Sequence, residues 1–318
     1  MPTQKIFKVI EQYIKQEVPA DVVDFLSNTA SLQAAFDKID AMTANNYLYG
    51  HFILWLSHYA HNAQSSLQDY FNGKVDLGYI SSNFINFCFK NKIVMNADET
   101  LCSFKMHNQL SDNAVKKELI KMSPKSNINL LGFGLDDGAY EKELANYLIT
   151  QGLCTNVTIY GMDPYAKKGI GVHYLNPYQL ITDTNLKFDA VIARWSLHHV
   201  ANKDRWFGLI HCINRCNPGA RVIFIEHGFL SKNLSLIRKK LYELLNATFD
   251  IIANIGLRPN YFTQTAPEFG AHFFIRYLGL DDYMAIANSQ TQIIVSQDIY
   301  EVGPSFPNQT ICSFCISK

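Results

Sequence analysis

Neither sign of charge is in excess in this sequence. Lys and Arg number 28, Asp and Glu number 28, and the formal net charge at pH 7 is zero. That balance leaves no electrostatic footprint for a nucleic acid, and the cations of "IRKKLY", Arg238, Lys239 and Lys240, read as a solvated helix face. Cysteine has no framework. The 7 thiols are odd in number, and no second CxxC accompanies Cys312 and Cys315. Those two lie in the strand-like run "TICSFCISK", whose alternation turns them to opposite faces, so no metal site is expected. Reduced thiols suit a cytoplasmic protein. No apolar run is long enough to span a bilayer, and "MPTQKIFKVIEQYIK" has no signal-peptide core and reads as an amphipathic helix. No membrane partner is expected. Internal repeats and low-complexity segments are also missing.

What is present is a globular composition, 48% hydrophobic and 18% charged, with 13% aromatic residues available to line a pocket for a flat or greasy ligand. Apolar spacing predicts helices over 4–16, 20–28, 30–42, 46–63 and 79–91. Residues 1–125 therefore form a helical N-terminal domain in this reading, and "SPKSN" at 123–127 is a linker. From 128 onward, the strand-like runs "INLLGF", "NVTIYGMD", "GVHYL", "FDAVIAR" and "ARVIFIE" are interspersed with the helical runs "AYEKELANYLITQ", "ANKDRWFGLIHCINRC" and "NLSLIRKKLYELLNATFDIIANI". Such alternation predicts an α/β, doubly wound, mostly parallel sheet. The tail breaks the alternation: "TQIIVSQDIYEVG" and "NQTICSFCISK" follow one another with no helix between, which predicts an antiparallel hairpin added to the sheet. An aromatic-rich insertion at 256–290 stands before them as a lid or insertion near a ligand crevice.

Two features carry candidate chemistry. In "LLGFGLDDGAY", Gly132, Phe133 and Gly134 follow a strand and lead into a helix, so the backbone can turn tightly and approach a ligand. The run is G-x-G-x3-G. Asp136 and Asp137 stand where a pyrophosphate would meet the helix N-terminus, an arrangement that suits a cationic or ammonium group better than an anion. Asp163 ends the next strand, where a carboxylate can accept both hydroxyls of a ribose; capping the following helix, with Pro164 at its first position, is the alternative role. The second feature is "FDAVIARWSLHHV", a buried strand that ends in His198 and His199 at the topological switch point of an open α/β sheet. A histidine there is either a general base, its pKa of about 6.5 suiting proton removal near neutrality, or a polar end to a core strand.

In combination and order, "GFG", "GMD", "FDAVIARWSLHHV" and "NPGARVIFIEHG", followed by the closing hairpin, make residues 128–318 resemble a class I S-adenosylmethionine-dependent methyltransferase. The resemblance implies a seven-stranded Rossmann-like sheet with S-adenosyl-L-methionine across the carboxyl ends of the first strands. It implies cofactor contacts from Gly132, Phe133, Gly134, Asp136 and Asp163, with Asn176 approaching the adenine and Arg194 beside the crevice. Plant-type small-molecule O-methyltransferases carry a strand, a Trp and then a catalytic His, with a Glu at the end of the next strand orienting that His. Trp195, His198 and Glu226 are similar in register, and His199 stands next to them. The resemblance thus implies a small-molecule acceptor, methylated at a hydroxyl with His198 as base.

The departures are Leu130, where the family usually has an acidic residue, and Asp136, where it has its third glycine. These favour a second reading, a non-catalytic binding or scaffold module of the same fold. Methylation at nitrogen or carbon, or of RNA or protein, is a third reading. Cap enzymes of this fold use a Lys-Asp-Lys-Glu tetrad, but Arg194 and Trp195 occupy the place of its Asp. In the helical front domain, His51, Trp55 and His58 share a face. Trp55 and Tyr59 are candidates to stack on the acceptor, burial in a core being the alternative, and the domain as a whole is a candidate for homodimerisation or for covering the substrate.

Overall fold

The computed structural model describes residues 69–90, 109–135, 137–163, 168–200, 202–227, 276–290, 293–302 and 309–317, together with helical residues between 236 and 251. The front-domain candidates His51, Trp55, His58 and Tyr59 lie outside the described residues, as do Asp136 and most of the aromatic-rich insertion. The chain divides into two compact units. The first comprises residues 1–108, 231–276 and 303–308. Within it, helix α1 (Leu77–Lys90) buries Ile80 and Phe84, and Tyr70 donates its hydroxyl proton to Lys240 O and Glu243 Oε2, both at 3.0 Å.

The second unit comprises residues 109–230, 277–302 and 309–318 and contains the sheet. After a helix at 109–119 (α2), the strands and helices run β1 (Asn127–Phe133), α3 (Ala139–Thr150), β2 (Asn156–Met162), β3 (Val172–Tyr174), α4 (Pro177–Thr182), β4 (Phe188–Arg194), α5 (Asn202–Asn214), β5 (Cys216–His227), α6 (Leu280–Ser289), β6 (Ile294–Val302) and β7 (Gln309–Ile316). The seven strands pair in the order β3-β2-β1-β4-β5-β7-β6. β7 pairs antiparallel with both β5 and β6, and the other pairings are parallel. The doubly wound sheet and its antiparallel hairpin are therefore as the sequence predicts. One refinement concerns the hairpin: its second strand inserts beside β5, and its first becomes the edge.

Both faces of the sheet are covered, which explains why β4 reads as a continuous apolar run. On one face, Leu130, Ile192, Ile223 and Ile311 pack with Val115 and Leu119 of α2 and Leu144 and Leu148 of α3. On the other, Leu131, Val191, Phe224 and Phe314 pack with Cys212 of α5 and Tyr283 of α6. At about 1.5–3 kcal/mol for each large apolar side chain buried, these two layers hold the strand ends in fixed register. Cys312 joins the second layer and is buried, while Cys315 on the opposite face is partly exposed. Among the described residues no helix is long and apolar enough to cross a membrane.

The amino end of the sheet is tied by one buried carboxylate. Asp189 accepts from Lys125 Nζ at 2.6 Å, Asn217 Nδ2 at 2.8 Å and the Asn129 backbone N–H at 2.9 Å. The carboxyl end is tied through the glycine loop. Gly134 has φ +73°, and a Cβ there would lie 2.3 Å from Ser196 Cβ. Ser196 cannot retreat readily, because its hydroxyl donates to Phe133 O at 2.8 Å and its backbone N–H to Glu226 Oε1 at 3.0 Å. Gly134→Ala is expected to destabilise the protein by about 1–3 kcal/mol, from the left-handed backbone and the overlap together. Urea denaturation checks this, and an unchanged midpoint would show that the loop and the β4 turn move apart freely.

Candidate active site at the carboxyl ends of the strands

Three strand ends meet at the switch point between β1 and β4. β1 delivers the glycine loop, whose Gly134 N–H donates to Met162 O of β2 at 2.9 Å. Asp163 follows directly on β2 and is half-buried. β4 ends at Arg194, and Trp195 then takes φ 49°, the one non-glycine residue with positive φ among the described residues. Such a backbone costs on the order of 1–3 kcal/mol and persists where its surroundings fix it. Here the fixing is visible: Trp195 N–H donates to Ile225 O at 2.7 Å, and the indole lies parallel to the His227 ring, 4° between planes and 5.8 Å between centroids. The reversal at Trp195 feeds a single 3-10 turn, Leu197–His199.

Glu226 of β5 organises that turn. Its Oε1 accepts from Ser196 N–H at 3.0 Å and Leu197 N–H at 2.7 Å, and its Oε2 faces His198 Nδ1 at 2.5 Å. His198 and Glu226 are both fully buried. Burial pushes the carboxyl up, but His198 and the two backbone N–H groups outweigh it and hold Glu226 below its ordinary range. An ionised Glu226 can only accept, so Nδ1 of His198 carries the proton, and Nε2 is the nitrogen that Glu226 does not engage. Around His198 stand His199 at 4.1 Å, Tyr277 stacked at 5.4 Å and His227 at 5.5 Å, measured between ring centroids. Tyr277 belongs to the non-regular stretch that leads into α6.

A second cluster lies on the α3 side of the same strand ends. The guanidinium of Arg194 is held over Tyr140 at 3.9 Å and Trp195 at 4.3 Å, and its Nη2 lies 3.4 Å from Asp112 of α2. Next to it, Glu141 of α3 reaches over Gly132. A Cβ on residue 132 would lie 2.7 Å from Glu141 Oε1, so only glycine leaves room for the carboxylate. Glu141 is 3% exposed, and its Oε2 has no hydrogen-bond partner among the described residues. Burial pushes its pKa up to about 7; its own backbone N–H and Arg194 oppose the rise, while Asp137 and Asp163 add to it.

Of the residues singled out from sequence, Gly132, Phe133, Gly134, Asp163, Arg194, Trp195, His198, His199 and Glu226 gather at this end of the sheet. Asn176 caps α4: its Oδ1 accepts from Gln179 N–H at 3.0 Å, and Gln179 Oε1 accepts from its N–H at 2.8 Å. A concavity of about 570 Å³ opens beside β3, lined among others by Tyr160, His173, Leu175 and Gln179, and includes neither the glycine loop nor His198. Among the described residues no group of three or more His, Cys, Asp or Glu could hold a metal ion. Sequence reasoning missed Glu141, Asp112 and Tyr140. The signal for Glu141 was its place on the apolar stripe of α3 with Leu144, Ala145 and Leu148, where a carboxylate is out of keeping.

No family model matches the chain, and no curated protein matches it. Similar solved structures include the N-methyltransferase NodS from Bradyrhizobium japonicum in complex with S-adenosyl-L-homocysteine, at 13% identity over 68% of this chain and 88% of that one, TM-score 0.38. The CurJ carbon methyltransferase is similar at 12% identity over 89% and 71%, TM-score 0.41. An O-methyltransferase family 2 protein from Planctomyces limnophilus, in complex with apigenin, is similar at 11% identity over 83% and 68%, TM-score 0.45. These likenesses concern the fold; what the site can do follows from its own side chains.

The raised pKa of Glu141 has a sign that can be measured. The native state holds this proton more tightly than the unfolded chain does, so the group's contribution to stability is complete below its ordinary value of 4.5 and is lost as pH rises through about 7. Glu141→Gln removes the loss. From pH 5 to pH 8 the variant is expected to gain on the order of 1–3 kcal/mol relative to the parent, read by denaturation at both pH values. Parallel pH profiles would show that Glu141 titrates as a solvated carboxyl.

Proposed function

We propose that this chain is an S-adenosylmethionine-dependent methyltransferase whose acceptor is a small molecule carrying a hydroxyl group, with His198 as the general base. The observation that carries the reading is the convergence, at one end of a sheet with β7 reversed, of the glycine loop, Asp163 and the His198–Glu226 pair. The residues fit the cofactor in kind. Gly132 and Gly134 keep side chains away from the loop, Asp163 offers a carboxylate to a ribose, and the acidic residues beside the loop suit a cation. When bound, S-adenosylmethionine supplies a methyl on a sulfonium leaving group.

The remaining work is positioning, water exclusion and removal of one proton. Nε2 of His198 would take the proton that the acceptor hydroxyl loses on methylation, the cofactor supplying the methyl and its sulfonium the leaving group. Glu226 holds the ring through Nδ1–H and stabilises the imidazolium. Base catalysis of this kind contributes roughly 10²–10⁴-fold. His198 is enclosed, so an acceptor reaches it only after a neighbour moves. Among the described residues, Tyr277 is a neighbour outside the sheet and the 3-10 turn. Trp195 and His199 are the nearest candidates to line the acceptor. Asn176, which caps α4, would reach the adenine through its remaining polar capacity.

A second reading has its own observation. Glu226 also binds the backbone of Ser196 and Leu197, so the His198–Glu226 pair could serve as a strut in a fold without chemistry. Titration calorimetry with S-adenosylmethionine and S-adenosylhomocysteine separates the two. Micromolar binding, lost in Asp163→Ala, supports the enzyme, and no binding leaves the strut. Acceptors are then sought by transfer of labelled methyl to a panel of phenols and alcohols. On the acceptor so found, His198→Ala is expected to lower kcat at least tenfold with S-adenosylhomocysteine affinity kept. Equal turnover would remove His198 from the chemistry.

A further inference from the structure

Among the described residues of the sheet unit, four carboxylates are nearly or fully buried: Glu118, Glu141, Asp189 and Glu226. Three have donors for their oxygens. Glu118 takes Lys121 Nζ on both oxygens at 2.8 Å and the Tyr300 hydroxyl at 3.2 Å. Asp189 and Glu226 take three donors each. Glu141 alone keeps an oxygen without a partner among the described residues. Buried polar atoms are satisfied as a rule, and an exception asks for a cause. This one sits against the backbone of the glycine loop, in a locally acidic environment. Asp137 faces it from the loop and Asp163 from the end of β2, and both oppose its ionisation. Among the described residues, the cation that acts on it is Arg194, which is shared with Asp112 and held over Tyr140 and Trp195. The end of β1 supplies no carboxylate of its own, since Leu130 is fully buried in the core.

A buried acid with an unused oxygen, short of positive charge and pressed against a loop that only glycine can build, is a receptor for a small cation. A lone carboxylate of this kind suits an organic ammonium, which needs one anionic partner, better than a metal ion, for which the described residues offer no ligand cluster. We propose that Glu141 receives the α-ammonium of the amino-acid half of the bound nucleoside cofactor. This assignment rests on the cofactor reading given above and adds to it the residue that recognises the amino acid. The nearby acids then have a consequence. With its pKa pushed up to about 7, Glu141 carries a proton below neutrality, and an arriving ammonium would displace it to solvent. The groups that act on Glu141 are Arg194 of β4, Asp137 of the loop, Asp163 just past β2 and Tyr140 of α3, while Asp112 of α2 competes for Arg194.

The test uses two probes on the full chain, S-adenosylhomocysteine and 5′-methylthioadenosine, which lacks the amino-acid group. Calorimetry is run on the parent and on Glu141→Gln, which keeps the shape of the side chain, with Glu141→Asp as a second variant that keeps the charge. The expected result is at least a tenfold loss of S-adenosylhomocysteine affinity in Glu141→Gln, a smaller loss in Glu141→Asp, and 5′-methylthioadenosine affinity within twofold throughout. The parent is further expected to bind S-adenosylhomocysteine more tightly at pH 8 than at pH 6, and this difference is lost in Glu141→Gln. Unchanged S-adenosylhomocysteine affinity in Glu141→Gln overturns the assignment. Equal loss of both probes also overturns it, because Glu141 would then shape the loop without reading the amino acid. Failure of the parent to bind either probe overturns the cofactor reading itself.

Discussion

The buried carboxylate of Glu226 sets the geometry at the carboxyl end of the sheet. A charge at the end of β5, closed off from water, must find donors nearby, and it finds them on the chain that leaves β4. Satisfying it fixes Ser196 and Leu197, directly after the left-handed Trp195, and turns the His198 ring so that Nδ1 faces the carboxylate. Ser196, so placed, leaves room for nothing larger than glycine at position 134. One desolvated charge on β5 thus reaches through β4 to the loop after β1, which couples the two halves of the site.

Asp189 makes an instructive contrast. It too is buried with three donors, but at the opposite end of the sheet, and its donors are Lys125, Asn129 and Asn217. It closes the amino ends of the strands, where an α/β sheet binds nothing. The same chemistry, a satisfied buried carboxylate, is architectural at one end of β4 and lies among the candidate catalytic groups at the other. Position along the strand, more than residue type, decides what each can do.

The sheet was legible in the sequence because its signals are local. Apolar runs such as "FDAVIAR", the glycine turns and the absence of a helix before "NQTICSFCISK" each reflect a few neighbouring residues. The glycine loop, Asp163 and the histidine pair were legible for the same reason, sitting at strand ends that periodicity locates. The pairing of His198 with Glu226, 28 residues apart, came from the resemblance rather than from spacing alone. What stayed hidden depends on packing between distant segments. The partners of Arg194 come from α2 and α3, and nothing near "IAR" in sequence indicates Asp112 or Tyr140. Glu141 looks like any helix carboxylate until the burial of its stripe is known. The short helix α4 escaped notice because a single turn has too few residues to show a period, although the capping pair Asn176 and Gln179 marked its start.

The strand order also constrains how the protein is made. β7 is synthesised after β6 yet lies between β5 and β6, with Glu226 opposite Thr310 and His227 opposite Gln309. Until residues 309–316 exist, β5 is an open edge carrying unpaired backbone groups along its length, and β6 has no neighbour to join. Insertion of a late strand between two earlier ones is a long-range pairing, slow compared with the local β/α steps that precede it. Before β7 pairs, the edge left open is the very strand that bears Glu226, so the last pairing of the sheet also closes the strand that organises the β4 turn.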